Sequence, residues 1–147
     1  VSELCGETAC LYEAPADWKS LCEQFGIGSK IGNAVKSLSG GERQRLFIVL
    51  ALIPNPDLVF LDELTTGLDA KARRDVWKIL QELKQGGLTI FLTSHFMDEV
   101  EILCDEICIL KQGKAVFYGT VEQAKAVSGC EKFEDAYLML SGEEVGE

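Results

Sequence analysis

Apolar residues recur along the first quarter of the chain at spacings of three and four positions, which is typical of helices with one buried face. In "ADWKSLCEQF", residues 16–25, the apolar residues Trp18, Leu21, Cys22 and Phe25 follow this spacing, and the pattern stops at Gly26. The spacing predicts short, weakly amphipathic helices over residues 1–37.

A longer helix is expected to begin at Ser39 and to run through "RQRLFIVLALI". It should end at Pro54 and Pro56, because proline lacks the backbone N–H group that a continuing helix would use. Two short apolar runs follow, "LVFLD" at residues 58–62 and "LTIFLTS" at residues 88–94. Each predicts a strand that is buried on both faces of a parallel sheet.

The helix predicted between these two strands begins at Asp69 and ends near Gln85, because Gly86 and Gly87 stop it. The remaining chain predicts a helix at "FMDEVEILC", short strands at "EICIL" and "AVFYG" around a "KQGK" turn, and two tail helices with an acidic end. A succession of strand, helix, strand, helix and strand predicts an α/β fold with a parallel sheet.

Length and charge limit the classes of partner. A chain of 147 residues can bury the core of one compact domain. Its formal net charge of −10 argues against nonspecific binding to nucleic acid or to an anionic membrane surface, since both need a basic face. The longest unbroken apolar stretch, Leu46–Ile53, is far shorter than the roughly 20 residues that span a bilayer. No direct membrane span is therefore expected.

The cysteines point to a reducing compartment. Six cysteines are scattered without a C-x-x-C motif, and His95 is the single histidine, so a zinc site is not expected. Several cysteines lie in apolar stretches such as "EILCDEICIL", where a free buried cysteine acts as a small hydrophobic residue. No secretory signal peptide is visible, which favours the cytosol. Because the chain opens on Val1, we expect a processed product or a piece of a longer protein.

The stretch "LSGGERQRL" at residues 38–46 predicts a capped helix that could hold an anion. Ser39 and Glu42 have the S-x-x-E spacing of a capping box. Gly40 and Gly41 leave the backbone of the first helical turn bare, and such a turn is a common binding site for phosphate. An ordinary capped helix with two tolerated glycines explains these residues equally well.

Polar residues also follow the two predicted parallel strands, at the edge where such sheets bind ligands. Asp62 and Glu63 end the first strand, and one carboxylate could hold Mg²⁺ while the other acts on a water. His95 follows the second strand, and Asp69 lies in the loop after the first. Each has a simpler alternative: a solvated loop start for the acidic pair, a satisfied polar residue for His95, and an ordinary helix N-cap for Asp69. Their joint order and spacing favour the functional interpretation.

Four segments together resemble the motifs of ABC-type ATPases. "LSGGERQRL" resembles the signature motif, "LVFLDE" the Walker B segment, "LTTGLD" the D-loop, and "TSH" the switch histidine, in family order over roughly residues 36–120. The segments "ILKQGKAVFYGT" and "FEDAYLML" are similar to the ends of ATPase subunits from transporters that export drugs, lipids or polysaccharides. The resemblance implies a partial P-loop NTPase (RecA-like) core. Residues 1–53 would be part of the helical subdomain with the signature helix, and residues 54–147 the C-terminal part of the core with the tail helices.

The resemblance also implies a role for the start of the signature helix. Ser39, Gly40 and Gly41 would bind the γ-phosphate of an ATP that is held mainly by the opposite subunit of a head-to-tail dimer. Glu42 stands where the family more usually has glutamine, and it belongs to the same group of cofactor-binding residues.

The remaining motif residues would act on the same nucleotide. Asp62 would bind Mg²⁺, Glu63 would be the general base on the attacking water, and His95 would hold the γ-phosphate. Asp69 would couple the two sites across the dimer interface. Leu64 stands where proline is common in the family.

One motif that this chemistry requires is missing from the printed sequence. Phosphoryl transfer in this family uses a P-loop, G-x-x-x-x-G-K-[ST]. "GIGSK" at residues 26–30 is not one, because Gly28 is followed by Ser29 rather than by lysine. The chain is therefore expected to correspond to the C-terminal portion of an ATPase subunit. It should have an unpaired sheet edge and exposed apolar surface, bind MgATP weakly or not at all alone, and tend to associate.

The resemblance implies part of an ATP-hydrolysing subunit that powers transport and is inactive as this chain alone. Its partners would be a second ATPase subunit and transmembrane permease subunits, in the cytoplasm at the inner face of the cell membrane. An alternative is a truncated, non-catalytic interaction module. A further alternative, the signature lobe of a chromosome-maintenance ATPase, is disfavoured because residues 1–37 show no heptads and the charge is acidic.

Overall fold

The computed structural model describes residues 1–142 and divides the chain into two compact units. Unit 1 is Val1–Thr93, and unit 2 begins at Ser94 and is described as far as residue 142. The predicted acidic end at residues 143–147 lies outside the described residues. The predicted domain boundary after residue 53 falls inside unit 1 and remains a prediction, because compactness alone does not assign a subdomain.

The first part of unit 1 is helical, as its apolar spacing predicts. Helices α1 (Ser2–Ala9) and α2 (Trp18–Gln24) are followed by two short 3-10 turns (Gly28–Lys30 and Val35–Ser37) and by α3 (Gly40–Leu52). Helix α2 packs against both α1 and α3. Twelve apolar residues of this region lie in the core: Val1, Cys5, Leu21, Cys22, Phe25, Ile27, Leu38, Leu46, Ile48, Val49, Leu52 and Ile53.

The second part of unit 1 is the predicted strand–helix–strand segment. Strand β1 (Leu58–Asp62) pairs in parallel with β2 (Thr89–Thr93), and α4 (Ala70–Gln85) connects them. A helical connection is what a parallel pair requires, because a tight turn can only join antiparallel strands. The register places Leu58 opposite Thr89 and Asp62 opposite Thr93. The two strands therefore end level with each other.

The prediction that both strands are buried on both faces is wrong for the described residues. In β1 buried and exposed residues alternate, and the same holds more weakly in β2. Phe60 and Phe91 lie opposite each other with ring centroids 5.4 Å apart, yet they are 69% and 57% exposed. A parallel strand is fully buried only when a layer covers each face of its sheet. Within residues 1–142 only one face is covered, and the apolar surface expected from the sequence is exposed on the other.

Unit 2 contains α5 (Met97–Leu103), β3 (Ile107–Lys111), β4 (Lys114–Gly119), α6 (Val121–Ser128) and α7 (Phe133–Ser141). Its core is formed by Ile107, Ile109, Val121, Ala124, Phe133 and Ala136. The α/β class is therefore as predicted across both units.

The third strand is not the further parallel strand that the sequence predicts. Strand β3 pairs with β4 in an antiparallel hairpin, and the described residues form two separate two-stranded sheets. The physical reason is the two-residue turn at Gln112 and Gly113, which have φ of 48° and 75°. Two consecutive positive φ angles match the twist of antiparallel strands and direct the chain straight back along β3.

The cysteines are all free thiols, and their burial differs from one to the next. Cys5 and Cys22 are buried, whereas Cys108 is exposed, so burial predicted for the "EILCDEICIL" cysteines is wrong at that position. Desolvation raises the pKa of Cys22 to about 12. A thiol with so high a pKa carries almost no nucleophilic thiolate at neutral pH. No helix within residues 1–142 is both long enough and apolar enough to span a membrane.

Candidate functional site

The start of α3 forms the capping box that the sequence predicts. The Glu42 backbone N–H donates to Ser39 Oγ at 3.2 Å, and the Ser39 backbone N–H donates to Glu42 Oε2 at 2.8 Å. Ser39 has the extended backbone of an N-cap, with φ of −63° and ψ of 166°. Gly40 and Gly41 therefore occupy the first helical turn, where backbone N–H groups have no acceptor within the helix.

The two glycines differ in the space around them. A Cβ atom added to Gly40 would meet no atom within 4 Å, whereas one added to Gly41 would lie 3.0 Å from Cδ2 of Leu68. Gly40 and Ser39 are exposed, and Gly41 is half-buried. The loop that precedes α4 thus approaches the start of α3 at Gly41, while the Gly40 side stays open to a ligand.

The carboxylate of Glu42 is held on both of its oxygens. Lys30 Nζ lies 3.2 Å from Glu42 Oε1, and Oε2 accepts the Ser39 N–H. The hydrogen bond from the Ser39 backbone, followed by the bond from Lys30, lowers the pKa of Glu42. Glu42 is therefore a fixed anion in the first turn of α3, with a lysine directly beside it.

Arg45 ties the signature helix to the helix before it. Its Nε donates to the Gly41 carbonyl at 3.3 Å and its Nη1 donates to the Phe25 carbonyl at 3.3 Å. Gly26, which has φ of +67°, lies against the same guanidinium group. Sequence reasoning missed Arg45, because a contact twenty positions back along the chain leaves no periodic signal.

The ends of β1 and β2 bring Asp62, Glu63 and Thr93 together. Thr93 Oγ1 donates a hydrogen bond to Asp62 Oδ1. The Glu63 backbone N–H donates to the Thr93 carbonyl at 3.0 Å and lies 3.4 Å from Thr93 Oγ1. Sequence reasoning singled out the two acids and the segment "TSH", but it gave Thr93, the first residue of that segment, no role of its own.

Glu63 has a backbone conformation that side-chain-bearing residues rarely adopt. Its φ is +44°, in the left-handed region that costs most residues free energy. Such strain is concentrated at functional sites, where the surrounding structure holds it in place. At Glu63 the chain leaves the direction of β1, immediately after Asp62.

Asp69 is the N-cap of α4, which is the simpler of the two roles that the sequence suggested for it. Its Oδ1 accepts hydrogen bonds from the backbone N–H groups of Lys71 at 3.0 Å and Ala72 at 2.9 Å. These bonds satisfy two of the free donors at the start of the helix. Coupling across a dimer interface by Asp69 remains a prediction.

His95 lies in unit 2, two positions after the end of β2. It is exposed, and its ring centroid is 4.2 Å from that of Phe96. The neighbouring Ser94 Oγ accepts a hydrogen bond from the Phe96 backbone N–H at 3.0 Å. Because His95 and the two carboxylates belong to different compact units, its place beside them remains a prediction.

The Asp62 carboxylate at the end of β1 fits Mg²⁺ only as part of a site whose other ligands come from water and substrate. Within residues 1–142 no group of three or more His, Cys, Asp or Glu side chains is placed to hold a metal ion. Mg²⁺ in nucleotide sites is usually held by one or two carboxylates and completed by waters and substrate phosphates. Asp62, an exposed carboxylate oriented by a hydroxyl, has the chemistry for this shared kind of site.

Comparisons with known proteins identify the family. The family model described as ABC transporter matches residues 3–66. The daunorubicin/doxorubicin resistance ATP-binding protein DrrA of Streptomyces peucetius is 39% identical over 109 residues, which cover 74% of this chain and 33% of that protein. The Nod factor export ATP-binding protein I of Rhizobium etli is 43% identical over 116 residues, which cover 78% of this chain and 37% of that protein. The chain belongs to the ABC transporter ATP-binding family.

The fold agrees with this assignment. A solved ATP-binding subunit of an ABC transporter superposes with a TM-score of 0.82 at 24% identity, covering 95% of this chain and 61% of that one. An identity this low shows the fold alone. The chain spans about a third of the length of the curated ABC relatives it matches, 33% of DrrA and 37% of the Nod factor protein.

Proposed function

We propose that this chain supplies the signature motif, Walker B segment, D-loop and switch histidine of an ATP-hydrolysing subunit that powers export across a membrane. The observation that carries the proposal is the arrangement at the ends of β1 and β2. There, Asp62 is oriented by the Thr93 hydroxyl, and Glu63 follows it with a strained backbone at φ of +44°. Two adjacent carboxylates with different environments suit two different tasks.

The start of α3 binds the γ-phosphate of ATP. Backbone N–H groups at a helix start and the positive end of the helix dipole both attract a phosphate oxygen. Ser39, Gly40 and Gly41 offer that surface, and the open space at Gly40 supports a close approach. The nucleotide is held mainly by a second ATPase subunit in a head-to-tail dimer, and Glu42 lies at the edge of the phosphate surface.

Glu63 is the general base for hydrolysis. Its carboxylate accepts a proton from water while the water oxygen bonds to the γ-phosphorus and the bond from phosphorus to the bridging oxygen of ADP breaks. Asp62 holds Mg²⁺, which when bound neutralises charge on the phosphate oxygens. His95 donates a hydrogen bond to the γ-phosphate, and Asp69 couples the two sites of the dimer.

Export is supported by the names of the relatives, since one confers resistance to daunorubicin and doxorubicin and another exports Nod factor. The partners that follow are a second ATPase subunit and transmembrane permease subunits. Such an assembly places the chain in the cytoplasm, peripheral to the inner face of the cell membrane. With a net charge of −10, no nucleic acid is among the partners.

The P-loop must come from outside the printed residues. We call the chain joined to a P-loop-bearing segment of an ABC ATPase the assembled ATPase. The test is MgATP binding and hydrolysis by the chain alone, by the separate P-loop segment, and by their mixture. We expect no hydrolysis by either part alone, no MgATP binding by the chain alone, and hydrolysis by the mixture. Binding of MgATP by the chain alone would contradict the proposed division of the nucleotide site.

A second candidate is a non-catalytic module that docks through its exposed surfaces. The exposed ring pair of Phe60 and Phe91 favours association of this chain with another protein surface. For a pure docking module, Glu63→Gln would not change association with the partner surface. The mixture with the P-loop segment would not hydrolyse ATP. For an ATPase part, Glu63→Gln leaves ATP binding intact and lowers the rate of hydrolysis.

A further inference from the structure

Glu42 poses an electrostatic problem for an anion site at the start of α3. Glu42 places a carboxylate in the first turn of α3, which is the turn that is to receive a phosphate. Like charges at such short range weaken binding. A chain with glutamate here therefore needs a compensating positive charge.

Lys30 provides that charge from a separate element. It ends the 3-10 turn Gly28–Lys30, and its Nζ lies 3.2 Å from Glu42 Oε1. The Lys30 side chain is 38% exposed and that of Glu42 is 19% exposed, so water only partly screens the pair. Within "GIGSK", the segment that does not match a P-loop, Lys30 thus has a well-defined partner.

The same contact also fixes where the carboxylate points. Glu42 Oε2 accepts the Ser39 N–H at 2.8 Å, so the carboxylate is bound between the N-cap backbone and Lys30. That hydrogen bond, and after it Lys30, lowers the pKa of Glu42. Loss of Lys30 would leave a full negative charge that only one backbone donor orients.

We infer that Lys30 is a positioning residue of the signature site, which neutralises Glu42 and holds its carboxylate in the capping box so that the α3 start accepts the γ-phosphate. The inference rests on the proposed function and deepens it. It assigns a role to a residue outside the four motifs, nine positions before Ser39 in the sequence.

The test is a double-mutant cycle in the assembled ATPase with Lys30→Met, Glu42→Gln and both together. We expect Lys30→Met to raise the KM for ATP about three- to tenfold, with a smaller effect on kcat. Glu42→Gln should lower the KM by about two- to threefold, because it removes a negative charge from the phosphate surface. In the double variant, Lys30→Met should change the KM by less than about twofold relative to Glu42→Gln, because the charge that Lys30 neutralises is gone. Lys30→Arg is the matched control that keeps the charge.

Two outcomes would overturn the inference. One is an unchanged KM in Lys30→Met, and the other is a KM that stays raised in the double variant. An unchanged KM together with a loss of unfolding stability would show that Lys30 is a surface ion pair that only supports the helix cap.

Gly40→Asp separates this inference from the proposed function. The position has open space for a side chain, so the variant should fold while placing a carboxylate in the phosphate surface. If Gly40→Asp hydrolyses ATP normally, the phosphate site at α3 is itself wrong. If Gly40→Asp is inactive and the Lys30 cycle shows no coupling, only the inference about Lys30 fails.

Discussion

The start of α3 and the paired ends of β1 and β2 are built in opposite ways. At α3 the site comes from neighbours in sequence, since Ser39 and Glu42 bond each other across one helical turn. At the strand ends it comes from residues far apart, since Asp62 and Thr93 meet only because the two strands pair in register. A local site survives small shifts of the fold, whereas a site built by strand register depends on tertiary structure.

The largest loss of turnover is expected at the strand ends, where a single carboxylate accepts the proton of the attacking water. In the assembled ATPase, Glu63→Gln should lower turnover on the order of 10²–10⁴-fold, because the amide cannot accept the proton of the attacking water. ATP binding should be retained, since the side chain keeps its size. The measurement is steady-state hydrolysis beside nucleotide affinity.

The matched control for that variant is Glu122→Gln, which makes the same chemical change in the first turn of α6. It should hydrolyse ATP at the rate of the unchanged protein. Unchanged turnover in Glu63→Gln would remove Glu63 from the role of base and leave the strand ends as a metal-binding edge only.

The second prediction concerns the register-dependent contact. Thr93→Val keeps the side-chain shape and β propensity but removes the hydroxyl that donates to Asp62. We expect turnover to fall about three- to tenfold in the assembled ATPase, because the Asp62 carboxylate loses its orienting donor. Thr93→Ser keeps the hydroxyl and should recover most of the rate. Equal losses in the two variants would mean that packing at this position, and not the hydrogen bond, supports the site.

These contrasts explain how much of the molecule the sequence predicted. The Ser39–Glu42 capping box, the Asp69 N-cap and the stop of α4 at Gly86 were all accessible, because each depends on residues within one turn. The Thr93 hydrogen bond and the positive φ of Glu63 were not, because they depend on pairing between segments about thirty positions apart. The two strands around the "KQGK" turn were also accessible, because the turn is local. That β3 belongs to a different sheet from β1 and β2 was not, because sheet membership depends on pairing between distant segments.

The third prediction tests the link between α2 and α3. Arg45→Ala removes the donors to the Gly41 and Phe25 carbonyls and should lower the free energy of unfolding by about 1 kcal/mol. Arg43→Ala, at an exposed position two residues earlier, should change it by less than about 0.5 kcal/mol. Urea unfolding of the chain measures both. If the two variants lose the same stability, the Arg45 contacts contribute nothing beyond ordinary helix propensity.

The smallest change in the free energy of unfolding is expected at the two glycines of the signature motif, Gly40 and Gly41. Alanine favours a helix over glycine by up to about 1 kcal/mol, with less expected in the first turn. Gly40→Ala should therefore raise the free energy of unfolding by roughly a few tenths of a kcal/mol, because its added methyl group meets no atom within 4 Å. Gly41→Ala should gain less or lose stability, because its methyl group would lie 3.0 Å from Leu68 Cδ2.

Leu68→Ala provides the decisive comparison for Gly41. In that background the methyl group of Gly41→Ala has room, so the two alanine substitutions should become equal in urea unfolding. If Gly41→Ala remains the less stable of the two, the close approach of Leu68 is not what keeps this position small. At Gly40, where alanine has room and is expected to stabilise α3, access of a ligand to the backbone is the reason for a glycine. At Gly41 the approach of the loop before α4 is sufficient reason for a glycine.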